Sequence, residues 1–384
     1  MIGAEYAASM IEQALLDSLT EVYDGRLEIV LEALSGMGPR YYFRLNGLAG
    51  NREDIVENMR SRGLEVKLDE TIADAAYLPV KVETPSCEEM TVQADRFAAE
   101  AVMQGAHLYA PGVRNCKGLR AGMKATVEDK SGIVVGSGIA RQGETAILSY
   151  HRGIAVETLK SKFRLPAIRE TSWYSEGLVH LQSLPSMVAC KVLDPEPGDI
   201  IVDLNCSPAG KMSYLCQLAD NKARIFGFDR NTSKIDKAKE HLERLHCRNY
   251  QLIAHDSRYA DQDYTLRADK VLVDPPCTGL GVMPKLSIDT TMSGARNLAA
   301  YQKQFLRAAA SLVRKGGTVV YSVCTITREE CEEVARFAED ELGLAQVPAD
   351  PVVARMDVGP GELSQRFDPE LDGAGYFIAK FIRA

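Results

Sequence analysis

Two cysteines in this 384-residue chain stand where a thiol could do chemistry. Cys277 lies in Asp274-Pro275-Pro276-Cys277-Thr278-Gly279, and Cys324 lies in Tyr321-Ser322-Val323-Cys324-Thr325. Each follows a short apolar run that reads as a strand, Lys270-Val271-Leu272-Val273 for the first and Gly317 to Val323 for the second. The Pro-Pro step enforces an extended turn, so an acid and a thiol are held over one sheet edge. A single cysteine at such a place is ordinarily a small core residue. Two of them at two strand ends, one beside an acid, suit a particular reaction. Carbon 5 of a pyrimidine is a poor nucleophile until a thiolate adds to carbon 6, and a base must later remove the carbon 5 proton. Two thiols, with Asp274 to engage ring nitrogen 3, meet those demands. The residues alone leave open which thiol attacks.

A second set of residues suits a nucleoside-containing ligand. Asp203-Leu204-Asn205-Cys206-Ser207-Pro208-Ala209-Gly210-Lys211 links the apolar run Ile200 to Leu204 to a helix expected from about Lys211. Small residues there let backbone N–H groups approach a ligand, and a helix N-terminus favours negative charge. The spacing to the lysine is not that of a phosphate-binding Walker loop, and the dinucleotide Gly-x-Gly-x-x-Gly is absent. Asp229 closes the next apolar run, where an acid can accept both hydroxyls of a ribose. Asp256 follows Leu252-Ile253-Ala254 and could accept from an adenine amino group. Either acid alone could equally be a helix cap. Acceptors ending three successive strands fit an adenosine-containing cofactor.

The elements that must position these groups alternate. Strands around 200–204, 223–228, 270–273 and 317–323 are separated by helices, notably Ser233 to His246 and an acidic helix after Cys324. That grammar means an α/β, doubly wound, Rossmann-like and largely parallel sheet, which binds ligands at the carboxyl ends of its strands. Upstream, residues 91–164 are glycine-rich with short apolar runs, as in a small β-barrel with tight turns. Residues 1–90 read as a small α+β domain: helix over 1–35, a strand at Tyr41 to Leu45, a helix at Arg52 to Arg62, then short strands at 64–68 and 77–82. The expected division is therefore 1–90, 91–164 and 165–384.

Composition limits the alternatives. Nine cysteines, with no Cys-x-x-Cys pair, argue against a disulfide framework and a zinc site, so no metal is expected. No apolar run is long enough to span a membrane, and acidic residues interrupt the N-terminal apolar pattern, so it reads as an amphipathic helix and the protein as cytoplasmic. Net charge is −8, yet residues 91–164 carry 11 Lys+Arg against 6 Asp+Glu, while residues 1–90 carry 8 against 17. A basic island inside an acidic chain is what a phosphate backbone would meet, although chance asymmetry of a solvated surface gives the same count. Arg114, Lys117, Arg120 and Lys124 concentrate it.

Residues 177–334 closely resemble the Sun-type (Nol/Nop/Sun) RNA cytosine-5 methyltransferases. The likeness runs through Gln182-Ser183-Leu184-Pro185-Ser186-Met187, Leu193 to Gly198, the loop ending at Lys211, Phe228-Asp229-Arg230, Asp274 to Gly279, Cys324, and Glu330 to Val334. Tyr42-Phe43-Arg44-Leu45-Asn46 is similar to the family's N-terminal region. Residues 91–158 resemble a PUA RNA-binding domain, through Gly105-Ala106, Pro111-Gly112-Val113, Gly122, Val135-Gly136 and Gly153 to Val156. A PUA domain ahead of the catalytic domain marks the subgroup that methylates transfer RNA near its 3′ end, at position 72 of the acceptor stem. The resemblance implies S-adenosylmethionine as cofactor, held by Asn205 to Lys211, Asp229, Arg230, Lys234, Asp256 and Asp274. It implies Cys324 as nucleophile, Cys277 in product release, and Arg114, Lys117, Arg120 and Lys124 on RNA. The chain departs from the family pattern at Asn205, at Ala209 where Gly is usual, at Val323, and at Cys331 where Asn is usual; a methyl at 209 is expected to narrow the cofactor loop. Ribosomal RNA as the substrate, and a catalytically idle RNA-binding factor, are the competing readings. Retention of both cysteines and Asp274 weighs against idleness.

Overall fold

The computed structural model describes residues 11–356 and 363–384. Its largest sheet has nine strands. Five run parallel in the spatial order Tyr250–Ala254, Arg224–Asp229, Ile200–Asp203, Ala268–Val273 and Val313–Val323. Tyr376–Arg383 then adds antiparallel to Val313–Val323, and Gln365–Phe367 and Arg355–Met356 follow it at the edge.

Alternation along the strands loads the two faces differently. Ile201, Leu272, Val320 and Ile378 pack under the helices Leu184–Leu193, Gly210–Leu218 and Thr232–Arg244. Val202, Val271, Val319 and Phe377 face the helices Met292–Leu312 and Glu332–Leu342. Because both faces are covered, the central strands carry unbroken apolar runs, Ile200 to Val202, Val271 to Val273 and Val319 to Tyr321. Their carboxyl ends carry the polar residues.

The glycine-rich segment forms a separate six-stranded sheet with its own core, including Val92, Val102, Leu108, Val127 and Val156. Its chain enters and leaves through one antiparallel pair, Lys81–Val82 against Phe163–Arg164. It also docks on the segment after Cys277: Glu100 accepts from the Leu286 N–H at 2.9 Å, and Arg96 donates to the Ser287 carbonyl at 3.1 Å.

The N-terminal part differs from expectation in three places. The helical reading of 1–35 resolves into Gln13–Tyr23 and Leu27–Leu34, parted at Asp24-Gly25, where Gly25 takes φ +66; residues 1–10 lie outside the described residues. The run 77–82 breaks at Val80, so that Ala75–Pro79 and Lys81–Val82 serve two different sheets. The strand Arg40–Leu45 pairs with Val179–Leu181, far beyond the glycine-rich insert. The N-terminal sheet is thus assembled from both sides of that insert.

Candidate active site

Five strand ends and the loops beyond them converge on one place. The strand Ala268–Val273 delivers Asp274 and Cys277, and its neighbour Val313–Val323 delivers Cys324. Adjacency of these strands brings residues 47 apart in sequence together: the two sulfurs lie 3.4 Å apart. The pair is asymmetric. The hydrogen bond from Cys277 lowers Cys324, with help from the Lys211 charge, against burial and the negative Asp274. The same bond, together with burial and the negative charges of Cys324 and Glu330, pushes Cys277 well up. Of the two, Cys324 is the thiol whose ionisation is favoured and Cys277 the one whose ionisation is opposed.

Asp274 is held on both oxygens. Lys211 Nζ lies 2.6 Å from Oδ2, and the hydroxyls of Ser322 and Tyr376 donate to Oδ1 at 3.2 and 3.4 Å. Burial alone would lower the Lys211 ammonium, but Asp274 outweighs it and holds the proton well above the ordinary lysine range. The Lys211 ammonium also stands 5.6 Å over the Tyr376 ring. Behind the pair sits Asp203, fully buried, whose carboxyl is pushed up to about 7 by burial, with Asp274 and Asp229 adding to the effect. Its Oδ1 accepts the Asn205 N–H at 3.0 Å.

The run 205–211 wraps the start of the helix Gly210–Leu218. Asn205, Cys206, Ser207, Pro208, Gly210 and Lys211 line a cavity shared with Asp203, Gln182 and Asp274. Ala209 does not line it. Its backbone is left-handed, at φ +73, and its methyl is buried in the core under the sheet. The expected narrowing of the loop by this methyl is therefore corrected: the side chain points away from the cavity, and its cost is backbone strain.

A second cavity adjoins the first at Asn205 and is lined by Leu204, Asp229, Asp256, Pro276 and Tyr301, with Arg230 and Lys234 at its exposed rim. Apolar walls with acids at one end suit an adenosine. Asn205 Oδ1 is buried and has no hydrogen-bond partner, an acceptor awaiting a donor. Asp229 Oδ1 accepts the Asn231 N–H at 2.9 Å, while its Oδ2 is 3.9 Å from Lys234 Nζ. Asp256 caps the short helical turn Ser257–Tyr259 and is paired with Arg258, which donates Nε to Oδ1 at 2.9 Å and Nη2 to Oδ2 at 2.5 Å and lowers its carboxyl. Any adenine contact by Asp256 is made by an already paired carboxylate.

A third cavity opens onto Cys324 and is walled by Arg40, Tyr41, Tyr42, Arg169, Gln182 and Tyr376. Its rim depends on glycine. Gly375 donates its N–H to the Gly281 carbonyl at 2.8 Å, and a Cβ on Gly281 would lie 1.8 Å from the Gly375 oxygen. The N-terminal helices pack directly behind these loops, through a core of Leu15, Leu19, Leu31, Leu280, Met292 and Ile326.

Gln302 and Tyr376 carried no signal in the sequence, and Glu330 entered only within the resembling run Glu330 to Val334. Glu330 is fully buried, and Gln302 on the long helix ties the Pro276 carbonyl to the Glu330 carboxylate at 3.0 and 2.9 Å. Tyr376 arrives from the last strand, 52 residues after Cys324 and outside any motif. Arg114, Lys117, Arg120 and Lys124 lie exposed on the glycine-rich domain, away from the thiols, and Arg114 is paired with Asp95 at 2.8 Å. Among the described residues, no group of His, Cys, Asp or Glu could hold a metal ion, and no helix is long and apolar enough to cross a membrane.

Comparison with known proteins places the chain among relatives. The family model described as 16S rRNA methyltransferase RsmB/F matches residues 190–382, and the PUA domain model matches residues 90–161. The tRNA (cytosine(72)-C(5))-methyltransferase of Pyrococcus horikoshii is 35% identical over 348 residues, covering 88% of each chain. The mouse tRNA (cytosine(72)-C(5))-methyltransferase NSUN6 is 24% identical, covering 97% of this chain and 93% of its own. The crystal structure of NSun6 from P. horikoshii with SFG superposes with a TM-score of 0.90 at 32% identity, over 97% of this chain and 98% of that one.

Proposed function

Because the chain belongs to the Sun-type RNA cytosine-5 methyltransferases with an inserted PUA domain, we propose that it methylates carbon 5 of cytosine 72 in the acceptor stem of transfer RNA. The observation that carries the chemistry is the thiol pair at 3.4 Å beside the Lys211–Asp274 ion pair. The observation that favours transfer RNA over ribosomal RNA is the relative of that activity at 35% identity across 88% of both chains, basic insert included.

The site geometry supports the division of roles that the family resemblance implies. Cys324, the easier thiol to ionise, adds to carbon 6 of the ring and leaves carbon 5 nucleophilic. Asp274, fixed by Lys211, Ser322 and Tyr376, is the carboxylate available to ring nitrogen 3. S-adenosylmethionine supplies the methyl group when bound. Its nucleoside fits the cavity of Leu204, Asp229 and Tyr301, where Asp229 takes the ribose hydroxyls and Asn205 offers its orphaned oxygen. Arg230, Lys234 and Asp256 edge that cavity, and Cys206, Ser207, Pro208, Gly210 and Lys211 line the adjoining one, into which the rest of the cofactor would extend. Once Cys324 is a thioether it no longer bears the charge that kept Cys277 protonated. Cys277 can then ionise and take the carbon 5 proton, and elimination returns Cys324 as thiolate. Arg114, Lys117, Arg120 and Lys124 meet phosphates of the RNA 3′ end. The reaction depends on two reduced thiols, which suits the cytoplasm.

The test is bisulfite sequencing of transfer RNA and ribosomal RNA incubated with the enzyme and S-adenosylmethionine. Protection at cytosine 72 of transfer RNA is expected. Protection confined to ribosomal RNA, or at no position, overturns the proposal.

A further inference from the structure

We infer that Glu330 is a positioning residue of this reaction: its buried carboxylate holds the two cysteine-bearing loops against each other. The inference rests on the assignment of Cys324 as the attacking thiol. Glu330 has no exposed surface. From the loop after Asp274, the Thr278 N–H donates to its Oε1 at 2.9 Å and the Thr278 hydroxyl donates to Oε2 at 2.6 Å. From the loop after Cys324, the Thr327 hydroxyl donates to Oε2 at 2.9 Å. Thr325, immediately after Cys324, shares a 2.6 Å hydroxyl contact with Thr278, immediately after Cys277. The long helix contributes Gln302 Nε2 at 2.9 Å from Oε1. Glu330's own carbonyl accepts the Tyr321 hydroxyl at 2.6 Å.

The donors to the carboxylate come from the two cysteine-bearing loops and the long helix, and Glu330 itself is fully buried. A buried anion with five donors, the Thr325 hydroxyl at 3.4 Å among them, is stable where an unpaired one would not be. The arrangement has two consequences for the sulfurs. It sets their separation, because Thr278 and Thr325 are the residues next to them. It also places a fixed negative charge near Cys277, which opposes a thiolate there and leaves the charge to Cys324. A carboxylate that merely filled the core would do neither.

Glu330→Gln tests this, since an amide is isosteric and hydroxyls can turn to accept from it. In the full-length enzyme without RNA, iodoacetamide labelling followed by peptide mass spectrometry should show wild-type preference for Cys324 over Cys277. In Glu330→Gln that preference should shrink, because a nearby negative charge that opposes ionisation of Cys277 is gone. On the RNA that wild type methylates, kcat should fall by about tenfold or more through misplacement of the thiols, while KM for RNA and the affinity for S-adenosylmethionine stay within about twofold. Thr327→Val, which removes one donor and no charge, should lower kcat less and leave the labelling preference intact; this variant carries the positioning arm if Glu330→Gln does not fold. An unchanged labelling ratio in folded Glu330→Gln overturns the inference, as does an unchanged kcat in that variant, or in Thr327→Val where only that variant folds. Labelling needs no RNA, so a failure of the cytosine 72 assignment shows in the sequencing experiment alone.

Discussion

The sulfurs of Cys277 and Cys324 meet at 3.4 Å, between the ends of neighbouring parallel strands. The contact makes the two thiols unequal before any substrate arrives, and the roles can be separated by removing each in turn. Cys324→Ala should form no covalent adduct and lose methylation entirely. Cys277→Ala should still attack and transfer methyl, then stall, because elimination needs the carbon 5 proton to leave. That variant should accumulate a protein–RNA band resistant to denaturing electrophoresis, and the double variant should not. The reverse pattern would make Cys277 the nucleophile.

Asp229 stands at a strand end with one oxygen loosely held, 3.9 Å from Lys234. Asp229→Ala should weaken S-adenosylmethionine binding by about 1.5–3 kcal/mol, the scale of charge-assisted hydrogen bonds. Calorimetry gives the answer directly, and an unaltered dissociation constant would remove Asp229 from the ribose site.

Asp203 sets a pH dependence of stability. Its folded value, about 7, lies above its ordinary one, so between roughly pH 4 and 7 the folded state binds the extra proton. Its contribution to stability is therefore full in acid and is lost as pH rises through 7. Urea unfolding at pH 5 and pH 8 should show Asp203→Asn gaining on wild type as pH rises. A difference that is flat, or that grows toward acid, contradicts the assignment.

The basic face of the PUA domain should respond to salt. Lys117→Ala should reduce the slope of log affinity against log salt by about one. Arg114→Ala should reduce it less, because Asp95 already pairs with that guanidinium. Equal slopes for wild type and Lys117→Ala would put that lysine off the RNA path.

What the sequence disclosed, and what it withheld, divides along a physical line. Cys277, Cys324, Asp229 and Asp274 were found because each ends an apolar strand, and a parallel sheet brings such ends together whatever lies between them. Glu330 stood in the sequence only as part of a resembling run, with its contacts unforeseen; Gln302 and Tyr376 act through contacts between elements distant in sequence, and no local spacing marks a glutamine on a helix as the partner of a proline carbonyl. The helices around 13–34 were visible as amphipathic, but not their burial against Leu280 and Ile326. The methyl of Ala209 was taken to face the ligand because the loop does; only the left-handed backbone turns it into the core.

The two-stranded neck of Lys81–Val82 and Phe163–Arg164 makes the PUA domain a cassette. Its two ends leave the body of the protein side by side, so a short hairpin could replace some eighty residues without disturbing the register on either side. The N-terminal sheet offers no such cut, since Arg40–Leu45 is zipped to Val179–Leu181 and shares its fate with the catalytic part. Insert and body are in this sense unequal parts: one is joined through a single two-residue strand pair, while the other is woven from both sides of the insertion and holds together as a single block.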